Sequence, residues 1–263
     1  MIRSRLAGRF VLSPNVDARR DNRRPDMLIL HYTGMDDAER ACSWLCNPAS
    51  KVSCHYLVDE KGLITQMVDE DLRAWHAGLS SWQGDSDINS SSIGIEIHNP
   101  GHAAGYPDFS SEQMQAVIAL SKEIVERHGI ADRRILAHSD VAPSRKVDPG
   151  EKFDWSWLHR EGLGHWVEPE KIVEGFLLKM GDTGHDVETL QRNLETYGYG
   201  LNVSGNFDAH TFAVVRAFQL HFRPARVDGV ADVSSIATLN RLLGNQGTVQ
   251  SARNPETSDS PKG

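Results

Sequence analysis

The sequence predicts an α/β domain followed by a small all-helical one, and three observations carry that reading. Strand-like and helix-like segments alternate up to about residue 177. Beyond that point the apolar residues fall only at helical spacing. There, too, a glycine-turn motif repeats at a period of 24 residues: Val203-x-Gly205-x-x-Asp208-x-x-Thr211 is echoed by Val227-x-Gly229-x-x-Asp232-x-x-Ser235. A length of 263 residues accommodates two modest domains, and 39% apolar residues with six Trp supply a core for each.

The elements follow in chain order. Asp26 to Thr33 is a near-continuous apolar run ended by Gly34, the pattern of a buried strand. Asp36 or Asp37 caps a helix that runs to about Asn47, before Pro48. Ser53–Asp59 and Leu63–Val68 flank Glu60-Lys61-Gly62 and read as a hairpin; Ser92–His98 is a further strand, broken by Asn99-Pro100-Gly101. The clearest helix spans Ser111–His128. Ser110 and Gln113 resemble a capping box, Met114, Val117, Ile118, Ile124 and Val125 form one stripe, and Gly129 is the stop. Arg134–His138 is a short strand. After residue 177, three helices are expected: one from Asp186, one headed by Asp208 and one headed by Asp232, with a core of their own in Leu190, Leu194, Phe212, Phe218 and Leu239. The division is thus a leader at 1–25, an α/β domain at 26–177, a three-helix domain at 178–244 and a disordered tail at 245–263. On this division a fragment ending near Glu174 folds and works alone.

Charge narrows the function classes. Net charge is −8; residues 1–24 carry seven Arg against two Asp, whereas 25–177 carry 13 basic and 25 acidic residues. The acidic middle excludes a nucleic-acid surface, which needs clustered Lys and Arg. The Arg-rich start reads as a solvated leader. No run approaches the ~18 apolar residues of a membrane span, and Arg9 interrupts any signal-peptide core, which favours the cytoplasm; a module for insoluble polymer would suit the cell envelope. A monomer is expected. Cys42, Cys46 and Cys54 are too few and too close for a disulfide framework and read as reduced thiols, ahead of a metal pair at Cys42 and Cys46.

Among 12 histidines, His31 and His138 stand out, because each ends an apolar strand where side chains converge on a cleft. Asp148 follows His138 by ten residues. Two His and a carboxylate make a zinc site with one open position. His159, His165, His185, His210 and His221 read as surface residues.

The segment His138-Ser139-Asp140-Val141-Ala142-Pro143-Ser144-Arg145-Lys146-Val147-Asp148-Pro149-Gly150 resembles, throughout its length, the motif of zinc-dependent N-acetylmuramoyl-L-alanine amidases of the type-2 group, related to peptidoglycan recognition proteins. Leu30-His31-Tyr32-Thr33, Val52-Ser53-x-His55-Tyr56-Leu57-Val58, Ala74-Trp75-His76-Ala77-Gly78 and Ser92-Ile93-Gly94-Ile95-Glu96 agree in order; Ala137 departs, standing where the family often has Gly. Gly181-Asp182-x-Gly184-x-Asp186-Val187-x-x-Leu190-Gln191, Gly205-x-Phe207-Asp208 and Phe218-Gln219 resemble the three-helix peptidoglycan-binding domain. The resemblance implies a mixed central sheet flanked by helices. It implies Zn²⁺ on His31, His138 and Asp148, with Glu96 as proton carrier and Lys146 beside the oxyanion. Trp75 and His76 would line the sugar-peptide groove, and Arg145 would hold a substrate carboxylate or Asp140. His55 reads as structural. The substrate would be peptidoglycan or a muropeptide, cut at the muramoyl–L-alanine amide. Two rivals are a binding receptor without catalysis and a glycosidase pairing Glu96 with Asp85 or Asp87.

Overall fold

The computed structural model describes residues 2–244; the tail expected at 245–263 lies outside them. Six strands form one mixed sheet: β1 (Arg9–Phe10), β3 (Met27–Tyr32), β4 (Tyr56–Val58), β5 (Ile64–Gln66), β7 (Ser92–Ile97) and β8 (Ile135–Ala137). Their spatial order is β1-β5-β4-β7-β3-β8, with β4, β7, β3 and β8 parallel and β4–β5 the antiparallel hairpin. Alternation along β3 and β7 sorts the two faces. Leu28, Leu30, Ile93, Ile95 and Ile97 pack under α3 (Ser111–His128) through Met114, Val117, Ile118 and Ile124. Met27, Ile29 and His31, with Gly94 and Glu96, lie on the other face by the same parity.

Helix ends largely follow the sequence signals. Asp37 caps α1 (Ala38–Leu45) by accepting from Arg40 N, and Gly129 ends α3 in a left-handed conformation. Ser110 Oγ accepts from Gln113 N at 3.1 Å, but the capping box is only half made. The Gln113 side chain turns into the core and donates to His98 O at 2.8 Å. The last strand is shorter than expected: β8 stops at Ala137, and His138 opens the short helix α4 (His138–Val141). Cys42 and Cys54 are buried free thiols and Cys46 is half-buried, in a cluster with Leu45, Leu57 and Met67.

Residues 2–25 are not a solvated leader. β1 adds to the sheet edge, and β2 (Val16–Ala18) pairs with β6 (Leu72–Ala74). Arg19 is buried and donates to the carbonyls of Glu70, Asn89, Ser90 and Ser92. Burial pulls its guanidinium down to about 10, with Arg73 adding to the effect. It is Arg19 that serves buried carbonyls; Arg9, Arg20 and Arg23 instead pair with Glu39, Asp87 and Asp85 nearer the surface.

The second domain consists of α6 (His185–Tyr197), α7 (Ala209–Phe222) and α8 (Val233–Leu242), with a two-stranded β9–β10 pair (Leu177–Leu178, Ala231–Asp232). The repeat has a structural meaning. Asp208 and Asp232 each cap a helix by accepting from the N–H three residues on. Gln191 Oε1 accepts from Gly205 N, and Gln219 Oε1 accepts from Gly229 N, so one glutamine pins each glycine turn. The core expected to belong to this module alone does not. Leu190, Leu194 and Phe218 join Met27, Ile29, Trp82, Ile88 and Leu136 in one continuous cluster. Trp82 stands edge-on to Tyr197 and Tyr199, and Gly198 leaves room for it: a Cβ there would lie 2.6 Å from the indole. Among the described residues no helix is long and apolar enough to cross a membrane.

Candidate active site

The carboxyl ends of parallel strands are where such sheets build their sites, and the register brings three side chains to one level. His31 on β3 lies opposite Glu96 on β7, and Ala137, opposite Leu30, delivers His138 beside them. Asp148 returns to the same point after α4; behind it, Tyr106 OH donates to Pro149 O at 2.7 Å. His31 Nδ1 and His138 Nδ1 are 2.8 Å apart, and Asp148 Oδ2 is 3.3 Å and 2.9 Å from them. All three residues are buried, and a cleft of about 420 Å³ opens over them, walled by Tyr32, Trp44, Trp75, Glu96 and Lys146.

Hydrogen bonds fix which ring nitrogens carry protons. Ser92 Oγ donates to Ile88 O at 2.6 Å, so it accepts from His76 Nε2 at 3.1 Å. His76 Nδ1 is then the acceptor for His31 Nε2–H at 3.0 Å, which leaves His31 Nδ1 a bare lone pair. His138 Nε2–H donates to Ala77 O at 3.1 Å, so its Nδ1 is bare as well. Burial holds His31 down to about 4, with His138 and Lys146 acting in the same direction against Asp148, so that ring is neutral near pH 7. Burial raises Asp148, yet its contacts with His138 and His31 outweigh that and keep it ionised, well below the usual carboxylate range. Two lone pairs and a carboxylate oxygen thus converge with no proton between them. That arrangement demands a cation, and this N,N,O donor set fits a divalent metal.

Glu96 sits beside this cluster with Oε2 buried and without a protein partner. Burial first, and then the charge of Asp148, push its carboxyl well above the usual range; Lys146 opposes them. A carboxyl so placed is poised to exchange a proton in the cleft.

Two residues expected to meet substrate line the cleft and also hold its framework. Both ring nitrogens of His76 are taken by His31 and Ser92, so it orients His31 instead of presenting a donor to substrate. Arg145 does not hold Asp140: from an exposed place on the cleft wall it donates to the carbonyls of Ala77 and Leu79, fixing the loop that also receives His138. Trp75 is half-buried on the cleft wall, its Nε1 donating to Asp17. His55 is buried, accepts from Gly94 N and meets Leu72 O, a framework role. The glycosidase pairing fails on placement. Asp85 and Asp87 lie outside this cleft, bound to Arg23 and Arg73. His221, read as a surface residue, is buried against Asp140.

Sequence reasoning missed the Ser92–His76 relay and the partners of Asp140. One signal for the relay was present. Gly94 interrupts a β-branched strand, and a glycine in a strand interior marks a close approach; a Cβ there would lie 2.5 Å from the His76 ring.

Sheet and site together define a hydrolase with a cation-demanding pocket, and comparison with known proteins says which. A family model described as N-acetylmuramoyl-L-alanine amidase matches residues 21–151, and one of a peptidoglycan binding domain matches residues 183–242. The chain is 36% identical over 232 residues to the N-acetylmuramoyl-L-alanine amidase AmiD of Escherichia coli (strain K12), covering 84% of this chain and 83% of that one. The solved structure of AmiD from E. coli in complex with the substrate anhydro-N-acetylmuramic acid-L-Ala-D-γ-Glu-L-Lys superposes with a TM-score of 0.73 at 34% identity, covering 88% of this chain and 93% of that one. AmpDh3 from Pseudomonas aeruginosa in complex with anhydromuramic pentapeptide gives a TM-score of 0.70 at 30% identity, covering 86% and 94%. The chain belongs to the N-acetylmuramoyl-L-alanine amidase family.

Proposed function

We propose that this enzyme hydrolyses the amide between N-acetylmuramic acid, or its anhydro form, and the L-alanine of the peptidoglycan stem peptide, with Zn²⁺ held by His31, His138 and Asp148. The observation that carries this reading is the convergence of three bare donor atoms next to the unpartnered Glu96 Oε2. Zn²⁺, when bound, supplies the electrophilic chemistry: it polarises an amide carbonyl and acidifies water. With a cation on His31, His138 and Asp148 offsetting the charge that raises it, Glu96 would be ionised, take a proton from the attacking water and deliver it to the departing L-alanine nitrogen, so that the C–N bond breaks to a carboxylate and a free amine. Lys146 places a cation where negative charge builds on the carbonyl oxygen. Trp75 offers an apolar wall for the sugar or peptide. A receptor without catalysis is disfavoured, because the donor set and Glu96 stand together in one cleft.

The test is to incubate the protein with an anhydromuropeptide and, separately, with intact peptidoglycan, identifying products by mass. Release of stem peptide with a free L-alanine amine, abolished by chelation and restored by Zn²⁺, is the expected result. Which of the two substrates is cut faster assigns recycling or wall cleavage. Glycan fragments, or amide cleavage that survives chelation, would overturn the reading.

A further inference from the structure

Asp140 lies between two members of the donor set, two residues after His138, and is fully buried. Its Oδ2 accepts from Ala137 N at 2.8 Å, the peptide N–H immediately before His138. The other two donors come from the helical module: Tyr199 OH to Oδ1 at 2.7 Å and His221 Nδ1 to Oδ2 at 2.6 Å. Each is held firmly. The His221 ring lies between Trp155 and Phe222, stacked at centroid distances of 3.6 Å and 3.8 Å. Tyr199 packs on Trp82 and pairs with it through a β-bridge. The far end of α4 is tied into the same joint, since Val141 O accepts from Ser81 N at 2.8 Å, and Ser81 precedes Trp82.

We propose that Tyr199 and His221 are positioning residues for the amidase reaction. Through the carboxylate of Asp140, the wall-binding module fixes the backbone that presents His138. A buried carboxylate that loses one of its three donors is left with unsatisfied charge, and losing two leaves it with Ala137 N alone. It would draw Ala137 and His138 with it or admit water, and either shift misplaces His138 Nδ1 against His31 and Asp148. The module is then part of the active-site scaffold as well as an anchor. The metal arm of the test below rests on the proposed zinc site; the exchange arm does not.

Amide hydrogen exchange across residues 135–148 is to be followed in the full chain and in Tyr199→Phe, which removes one hydroxyl and keeps the ring. His221→Ala is the stronger variant. Asp208→Ala is the control, because it removes the cap of the same helix α7 without touching Asp140. Exchange across this segment should quicken by about tenfold or more in Tyr199→Phe, the order expected for a lost hydrogen bond to a charged group, and stay at the parent rate in Asp208→Ala. Zinc affinity, measured by competition with a chelator, should fall in Tyr199→Phe by about tenfold and not in Asp208→Ala. Unchanged exchange in both Tyr199→Phe and His221→Ala, or equal quickening in the control, would overturn the proposal. If the parent protein takes up no zinc, the zinc assignment falls, while the exchange result still decides the joint.

Discussion

A histidine offers a lone pair to a metal only when its other nitrogen keeps the proton, and at His31 that choice is made by Ser92 through His76. The absent side chain of Gly94 lets this relay exist. Gly94→Ala should therefore push the His76 ring aside, with zinc affinity falling by about 10–100-fold in a chelator competition while the protein remains folded. Glu96→Gln should keep its zinc and lose about 10²–10⁴ in turnover, since the amide cannot carry a proton. Lys146→Met should likewise keep the metal and lose about 10²–10³. Near-parental rates in either metal-loaded variant would remove that residue from the proton path or from the oxyanion. His31 and His138 were legible because each ends an apolar strand, and Asp148 because it closes the family-like segment that begins at His138. His76 stands in the cleft wall as expected, but its neighbours Trp75 and Ala77 do not say that its ring also orients His31. His221 was invisible as a partner of Asp140, 81 residues away along the chain.

Elements were read well where one face decided them, as in the striped α3 and the capped α1. They were read poorly where a polar side chain turned inward. Charge density marked the first 25 residues as solvated, but Arg19 is there to satisfy carbonyls; Arg19→Met should cost about 2–4 kcal/mol in denaturant unfolding by leaving several buried acceptors bare. The end of α3 carries a second buried ionic cluster. Glu70, fully buried, receives Arg127, His128 and Tyr56 OH. Burial raises its carboxyl, yet the bonds from His128, Tyr56 and Arg127 together hold it below its ordinary 4.5. A depressed folded value means stabilisation that is complete above the unfolded value and fades as pH drops below it. Melting temperature should decline on acidification below about 4.5, and Glu70→Gln should be less stable at neutral pH with a flatter acid limb. An equally steep acid limb in that variant would assign the acid sensitivity elsewhere.

At the scale of the whole molecule, the two divisions legible in the sequence are one packing unit. A fragment ending near Glu174 would bare Trp82 and Trp155 and strip Asp140 of two donors, so it should be destabilised and impaired even on a small soluble muropeptide, contrary to the expectation from the repeat. Calorimetry of the full chain should show a single cooperative transition; two resolved transitions would mean the interface is too weak to couple the halves. The sequence could not reveal this, because Leu190 and Phe218 look the same whether they face a private core or Met27 and Ile29.

If intact peptidoglycan proves to be the substrate, the bridge from Trp82 to Tyr199 bears on how the enzyme meets that polymer. A catalytic unit on a loose tether samples every bond within the tether's radius, with a local concentration set by linker length. Here the helical module and the cleft domain share one continuous core. Each grip then presents only the stem peptides lying at one set distance and rotation along the glycan, and reaching the next requires letting go. Partial digests of long strands should show spacing between cuts, as a ruler leaves, where a tethered scissor would leave none.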